Sequence, residues 1–223
     1  TGVVQPLGEI ADVLSDHPAY FHTDAAQGFG KDVATLQNSR IDLISISGHK
    51  VYGPMGIGAL VARRRPSGRP PLKPLMLGGG QEQGLRPGTQ PVPLIAGLGE
   101  AARLALADHD DRDDKCLAFR KVLLDALAPL DPVIHGDQER VLPHVINLSF
   151  PGLDAEAVMI ALKDLVAIST GSACTSASHE PSHVLKAMGL SESDALTALR
   201  WSWCHMTPTP DWNAIVDILR HLA

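Results

Sequence analysis

Short apolar runs alternate with helical patterns in the first half of the chain. Residues 41–46 are mostly apolar and rich in β-branched side chains, which is typical of a buried strand. Residues 19–24 predict a second strand, and helically spaced apolar positions over residues 7–14 predict a helix before it. The alternation of helix and strand over residues 1–106 predicts an α/β domain with a mostly parallel sheet.

The pattern changes in the second half of the chain, where the acidic run Asp108–Asp114 separates two helical apolar stripes. Asp154 is placed to cap a later helix, and Pro210 predicts the first turn of the last helix. We therefore predict two domains, residues 1–106 and residues 107–223, of which the second is a small α+β domain.

Composition and charge narrow the range of functions. The chain has 223 residues and is 44% hydrophobic, which is enough for a folded core. A net charge of −6 and a pI near 5.9 argue against direct nucleic-acid binding. No apolar run reaches the length of a membrane span, so we predict no membrane contact and a cytoplasmic location. The three cysteines are widely spaced and indicate neither a disulfide framework nor a metal site.

Two polar residues stand where the predicted strands end. Asp24 closes the first strand, and Lys50 follows the second within the segment Ser47–Lys50. A carboxylate that keeps a pyridine nitrogen protonated, together with an amine that takes up an aldehyde, is what a pyridoxal phosphate site requires. A single lysine after a strand is more often a solvated surface residue, so this pair by itself is a weak signal.

The second half of the chain adds a candidate nucleophile. Cys174 lies in Ser169–Ser178, a run of small and hydroxylated residues that predicts an exposed or mobile loop. Cysteine is usually buried as an inert apolar side chain. A cysteine on a polar loop is instead a candidate to attack a substrate.

Several segments in a fixed order carry a family resemblance. They are Thr1–Pro6, His22–Gln27, Ser47–Lys50 with Tyr52–Pro54, Gly78–Glu82, Arg86–Thr89 and Gly171–Thr175. Over essentially its whole length the chain resembles the cysteine desulfurases of the class V aminotransferase family, which are pyridoxal phosphate enzymes of fold type I. The resemblance implies an α/β fold, with an incomplete large cofactor domain followed by a small α+β domain that carries the Cys174 loop.

The resemblance assigns a cofactor role to five residues. It implies that Lys50 holds pyridoxal 5'-phosphate and later moves protons, while Asp24 pairs with the pyridinium nitrogen. Gln27 would bind the phenolic oxygen of the ring, and Ser47 and His49 would contact the phosphate.

The same resemblance implies a substrate and partners. Arg200 would clamp the carboxylate of L-cysteine, and Cys174 would remove the sulfur as a persulfide and leave L-alanine. Thr89 would reach the phosphate of a partner subunit, which implies a homodimer. The persulfide would then pass to a sulfur-acceptor protein for iron–sulfur cluster assembly, tRNA thiolation or DNA phosphorothioation.

Alternatives from other classes stay open at this point. The chain is also compatible with a selenocysteine lyase, with another fold type I enzyme, or with a non-catalytic segment that only dimerises or binds a partner. Members of the family have a further N-terminal stretch that contributes to the phosphate site. We expect that stretch to come from the same chain or from a separate fragment.

Two local features depart from simple expectations. Cys204 and His205 stand where relatives usually have glycine and arginine, and we predict that they serve packing, because adjacent strand residues point to opposite faces. The arginine-rich residues 63–71 predict a solvated loop rather than a phosphate site.

Overall fold

The computed structural model describes residues 1–170 and 181–222, which form two compact units. The N-terminal unit is Gln5–His109. The C-terminal unit combines Thr1–Val4 with the described part of Asp110–Ala223. Thr1–Val4 belongs to the second unit because it pairs with a distant loop there: the Val4 N–H donates to the Arg140 carbonyl at 2.8 Å, and Val3 bridges to Val141.

The helices of the N-terminal unit are α1 (Leu7–Val13), α2 (Val33–Leu36) and α3 (Val92–Ala107). The predicted first helix is therefore present. Its apolar side packs against the sheet in a cluster whose most buried members are Ala11, Phe21, Ala25, Leu36, Ile41 and Ile44.

The sheet of the N-terminal unit has the order β1 (His22–Asp24), β2 (Leu43–Ser47) and β3 (Gly58–Ala62). β1 and β2 are parallel, because the chain crosses over through α2 between them. β3 is antiparallel to β2, because residues 48–57 turn the chain back on itself, through a 3₁₀ turn and without a crossover helix. The sheet in the described residues is therefore mixed, with one parallel and one antiparallel pairing.

The arginine-rich segment is not a solvated loop throughout, and that prediction is wrong for Arg63 and Arg65. The Arg65 guanidinium donates to both carboxylate oxygens of Asp42, at 2.6 and 2.7 Å. Arg63 donates to the backbone carbonyls of Leu36 and Asn38. These side chains fold back because they supply donors to the Asp42 carboxylate and to carbonyls at the end of α2 and just after it.

The C-terminal unit follows α4 (His109–Leu127), which begins at the unit boundary, with further strands and helices in chain order. They are β4 (Val133–Ile134), β5 (Val145–Ser149), α5 (Ala155–Leu162), α6 (His183–Ala187), α7 (Glu192–Thr197), β6 (Leu199–Ser202) and α8 (Trp212–Leu222). The strands form an antiparallel sheet in the order β4–β5–β6. One face of this sheet carries the core, where the Trp203 indole N–H donates to the Cys116 carbonyl at 3.0 Å.

The first residues of α5 and α8 test two predictions, of which one is confirmed and one is wrong. Asp154 caps α5 as predicted, because its Oδ1 accepts from the Ala157 N–H at 2.9 Å. The predicted start of the last helix at Pro210 is wrong, since α8 begins at Trp212. The Asp211 carboxylate accepts from the Ala214 N–H at 3.0 Å and so pairs one of the free N–H groups in the first turn of α8. Pro210 has no side-chain acceptor that could do this. In the part of the chain that the structure describes, no helix is both long and apolar enough to cross a membrane.

Candidate active site

The parallel pairing of β1 and β2 brings the two predicted strand-end residues to one edge of the sheet. Asp24 lies opposite Ser45, and the Ala25 N–H continues the ladder by donating to the Ser45 carbonyl at 2.9 Å. Lys50 follows β2 on the 3₁₀ turn Gly48–Val51. A carboxylate and an amine thus leave the same end of two adjacent strands, because parallel strands end at a common edge.

The Lys50 turn has a rigid backbone. Gly48 is buried, and a Cβ on it would lie 2.8 Å from the Ile57 carbonyl oxygen, so only glycine fits there. The Gly48 carbonyl accepts from the Gly53 N–H at 2.9 Å, and Tyr52 closes the turn in the left-handed region with φ 65°. The backbone that carries Lys50 is therefore fixed while its side chain stays half-buried.

The underside of the same turn rests on α3. Val51 is 3% exposed and packs in a small cluster with Ala101 and Ala105. Gly30 also approaches this contact closely, since a Cβ on it would lie 2.9 Å from a Val51 methyl group. This apolar contact holds the backbone at Val51. It therefore sets the direction in which the side chain of the preceding residue, Lys50, extends from the turn.

Polar side chains gather on the exposed face at this edge. The Ser47 hydroxyl and the His49 Nδ1 are 3.1 Å apart, and the exposed Asp24 carboxylate accepts from the Ala26 N–H at 2.9 Å. The His22 Nε2 and the Ser45 hydroxyl, 2.8 Å apart, form a further pair that sequence reasoning missed. The alternating burial of β1 places His22 and Asp24 on one face, and their two-residue spacing on a predicted strand was the signal available in the sequence.

These residues fit a pyridoxal phosphate group. Asp24 is an exposed carboxylate for a ring nitrogen, Lys50 is an amine for an aldehyde, and the hydroxyl and imidazole of Ser47 and His49 suit a phosphate. Gln27, the predicted partner of the ring oxygen, lies exposed on the turn directly after β1.

Thr89 lies apart from this cluster in the hydrogen-bond network of the described residues. It is exposed in the loop before α3, and its carbonyl accepts from the Arg86 guanidinium at 3.4 Å. Its predicted contact with the phosphate of a partner subunit stays a prediction.

Arg200 belongs to β6 in the C-terminal unit and is half-buried. Its backbone pairs with Asn147 on one side and with Ser169 on the other, where the two N–H···O distances are 2.6 and 3.1 Å. Cys174, the predicted nucleophile, lies outside the described residues.

Cys204 and His205 do not lie on a strand, and the prediction that a strand separates them to opposite faces is wrong. β6 ends at Ser202, and Cys204 begins a turn closed by a 3.0 Å bond from the Thr207 N–H to the Cys204 carbonyl. The Cys204 Sγ accepts from the Met206 N–H at 3.4 Å. Residues 1–170 and 181–222 contain no group of three side chains placed to hold a metal ion.

Comparison with known proteins shows a consistent set of relatives. Residues 1–211 match the aminotransferase class-V family. The chain is 43% identical over 220 residues to cysteine desulfurase IscS of Vibrio cholerae, covering 98% of this chain and 54% of the relative. It is 46% identical over 220 residues to the IscS of Rickettsia bellii, with coverage of 98% and 53%. The chain therefore spans about half the length of the curated relatives it matches.

Solved structures agree with the sequence relatives. The crystal structure of DndA from Streptomyces lividans is 48% identical with a TM-score of 0.79, over 94% of this chain and 58% of that one. A NifS-like protein from Rickettsia africae has a TM-score of 0.84 at 28% identity, over 99% of this chain and 58% of that one. The structure of SspA in complex with cysteine is 39% identical with a TM-score of 0.69, over 90% of this chain and 55% of that one.

Proposed function

The chain belongs to the aminotransferase class-V family, and we propose that the protein is a pyridoxal phosphate-dependent cysteine desulfurase that converts L-cysteine to L-alanine. The observation that carries this proposal is the shared edge of β1 and β2, where the Asp24 carboxylate and the Lys50 amine emerge beside the Ser47–His49 pair. The similarity to proteins named cysteine desulfurase supports the substrate class.

The residues of the N-terminal unit bind and orient the cofactor in this proposal. When bound, pyridoxal phosphate supplies an electron-withdrawing ring that weakens the bonds at the α-carbon of an amino acid. Asp24 keeps the ring nitrogen protonated, since its carboxylate is exposed and has lone pairs beyond the one that Ala26 uses. Lys50 anchors the aldehyde and then carries a proton to and from the α-carbon, which its rigid turn keeps within reach.

The remaining contacts fix the ends of the cofactor. With Nδ1 of His49 turned toward Ser47, its Nε2 points elsewhere and donates to a phosphate oxygen. Gln27 donates to the phenolic oxygen of the ring. Together these residues would hold the cofactor at the edge of the sheet where Lys50 lies.

The residues of the C-terminal unit act on the substrate. Arg200 binds the carboxylate of L-cysteine, a task that suits the planar two-pronged guanidinium. The Cys174 thiolate attacks the substrate sulfur, so that a sulfur–sulfur bond forms and the carbon–sulfur bond breaks. The electron pair of the broken bond stays on the substrate carbon, where a proton completes L-alanine.

The proposal also includes partners and location. The persulfide on Cys174 passes to a sulfur-acceptor protein that serves iron–sulfur assembly, tRNA thiolation or DNA phosphorothioation. The role assigned to Thr89 requires a homodimer. A cytoplasmic location suits this chemistry, because a persulfide carrier needs a reducing compartment where thiols persist.

The visible absorption of the purified protein with added pyridoxal phosphate tests the cofactor site. We expect an absorption band that shifts on titration with L-cysteine and is lost in Lys50→Ala. The matched control is Lys73→Ala, which removes an exposed lysine from the same unit and should leave the band intact. A protein without any such band, or an unchanged band in Lys50→Ala, contradicts the proposal.

The nucleophile is tested separately by Cys174→Ser. This variant should keep the spectral response to L-cysteine and lose sulfide and L-alanine production. An aminotransferase or a selenocysteine lyase that does not use Cys174 would keep its turnover, so retained turnover would favour those alternatives.

A further inference from the structure

The second face of the C-terminal sheet carries two polar side chains directly opposite each other. Asn147 of β5 is paired in register with Arg200 of β6. Side chains at such opposed positions share one face, with Cβ atoms about 5 Å apart. Their neighbours Ile146 and Trp201 form the next opposed pair and point to the other face, into the apolar core.

Both side chains keep a buried polar atom without a hydrogen-bond partner in the described residues. Asn147 is 5% exposed, and its Oδ1 accepts no hydrogen bond there. The Nε of Arg200 is also buried and donates to no described group. A buried polar atom left unpaired costs about 1–3 kcal/mol, so an unpaired acceptor facing an unpaired donor needs an explanation.

The backbone around Arg200 leaves only its side chain able to move. Its strand is fixed on one side by β5 and on the other by the two hydrogen bonds to Ser169. The position of the guanidinium therefore depends on side-chain rotation. A partner on the opposite strand is well placed to select one rotamer.

We propose that Asn147 is a positioning residue whose Oδ1 accepts from the Nε–H of Arg200 when the guanidinium binds the substrate carboxylate. This inference rests on the proposed function, in which Arg200 takes that carboxylate. A guanidinium can bind a carboxylate through its Nε–Nη edge or through its two Nη groups. With Nε held by Asn147, the Nη1–Nη2 edge is the one presented to the substrate.

The chemistry of an amide suits this task. Its oxygen accepts the Nε–H without adding charge, so the guanidinium keeps its full attraction for a carboxylate. An aspartate at the same place would compete with the substrate for Arg200. The next polar residue on this face, Ser149, is already paired, because its hydroxyl lies 3.0 Å from the Nε2 of the buried His135.

The test compares ligands that differ only in the carboxylate. In the full-length holoenzyme, L-alanine and ethylamine are titrated while the visible absorption of the bound cofactor is followed. Asn147→Leu should raise the Kd of L-alanine about tenfold, the effect of one hydrogen bond to a charged group, and leave that of ethylamine unchanged. The KM for L-cysteine should rise by a similar factor, with kcat nearly constant.

Two further variants sharpen the result. Asn147→Asp keeps the shape of the side chain and should weaken L-alanine binding about 100-fold, because its charge neutralises Arg200. It carries the test if the leucine variant does not fold. Ser149→Ala is the matched control: it removes a buried hydrogen bond from the same strand and face, and carboxylate recognition should not change.

Each possible failure is distinct. If Arg200→Lys leaves L-alanine binding unchanged, the proposed substrate role of Arg200 is wrong and the role of Asn147 falls with it. If Arg200→Lys weakens binding but both Asn147 variants do not, only the positioning role is wrong. If Asn147→Leu weakens L-alanine and ethylamine equally, or Ser149→Ala behaves like Asn147→Leu, the residue is structural and the inference is overturned.

Discussion

The two ends of the parallel β1–β2 pair each carry an aspartate and use it differently. At the amino end, Asp42 has a side chain 3% exposed and accepts from Arg40 at 2.8 Å, from Arg65 at 2.6 Å and from the Phe21 N–H at 2.7 Å. At the carboxyl end, the Asp24 carboxylate is exposed and accepts one described hydrogen bond, from its own turn. A carboxylate whose lone pairs are all used holds the fold together, whereas one with lone pairs to spare can receive a ligand.

The same contrast appears in the electrostatics. The hydrogen bond from Arg65, with the charges of Arg65 and Arg40, lowers the pKa of Asp42 to about 2 against the opposing effect of burial. The Arg65 guanidinium also lies 4.7 Å from the centre of the Tyr20 ring, and this cation–π contact further stabilises the cluster around Asp42. The amino end is therefore a structural cluster, and the carboxyl end is open.

The largest expected effect concerns the open end. Asp24→Asn should lower the turnover of L-cysteine about 10³-fold, because a neutral amide no longer keeps the ring nitrogen protonated. Its free energy of unfolding should stay within about 0.5 kcal/mol of the parent value, as for an exposed position. Steady-state kinetics and urea unfolding measure the two quantities. Unchanged turnover would show that Asp24 is not part of the cofactor site.

The closed end should show the reverse pattern. Asp42→Asn leaves two arginines without their buried carboxylate and should cost about 3 kcal/mol of unfolding free energy. The turnover of the fraction that stays folded should match the parent. Urea unfolding, with activity normalised to the folded fraction, checks this. A loss of turnover in fully folded protein would mean that the cluster around Asp42 influences the edge that carries Asp24 and Lys50.

The dependence of stability on pH should also come from the closed end. Asp42 has a folded pKa of about 2, below its ordinary value of 3.8, so its contribution is fully present above about pH 4 and is lost as the pH falls toward 2. The stability difference between the parent and Asp42→Asn should therefore shrink by about 2 kcal/mol over that interval. Urea unfolding at several pH values measures it. A constant difference would show that the carboxylate is not held in its charged form.

The smallest expected effect comes from a pair of glycines in the N-terminal unit. Gly48→Ala should destabilise by about 2 kcal/mol, because its Cβ would lie 2.8 Å from a backbone oxygen, and it should weaken cofactor binding by displacing the Lys50 turn. Gly99→Ala, in α3 with no atom within 4 Å, should instead stabilise by about 1 kcal/mol. Thermal unfolding separates the two. Equal effects would mean that the Lys50 turn is not tightly packed.

Much of the fold was predictable from the sequence. The predicted family and fold class are confirmed by the family match and by the structural neighbours. The first helix, the strands that end near Asp24 and Lys50, and the Asp154 cap were readable because each depends on residues close together in the chain. The roles of the individual site residues remain predictions.

The failed predictions share a physical cause. Arg65 looked like a solvated loop residue because its partner Asp42 is distant in sequence, and Cys204 was assigned to a strand because nothing local marks the end of β6. Side-chain pairing across an element depends on which segments meet, and local propensity does not encode it.

The sequence by itself determined which chemical groups end β1 and β2, because strand propensity and the motifs around Asp24 and Lys50 are local. Only the tertiary structure decided that these strands are parallel neighbours, that Asp42 is closed by two arginines, and that Asn147 faces Arg200. The reason is that strand register sets which side chains share a face, and register is fixed by the packing of the whole unit rather than by any one segment.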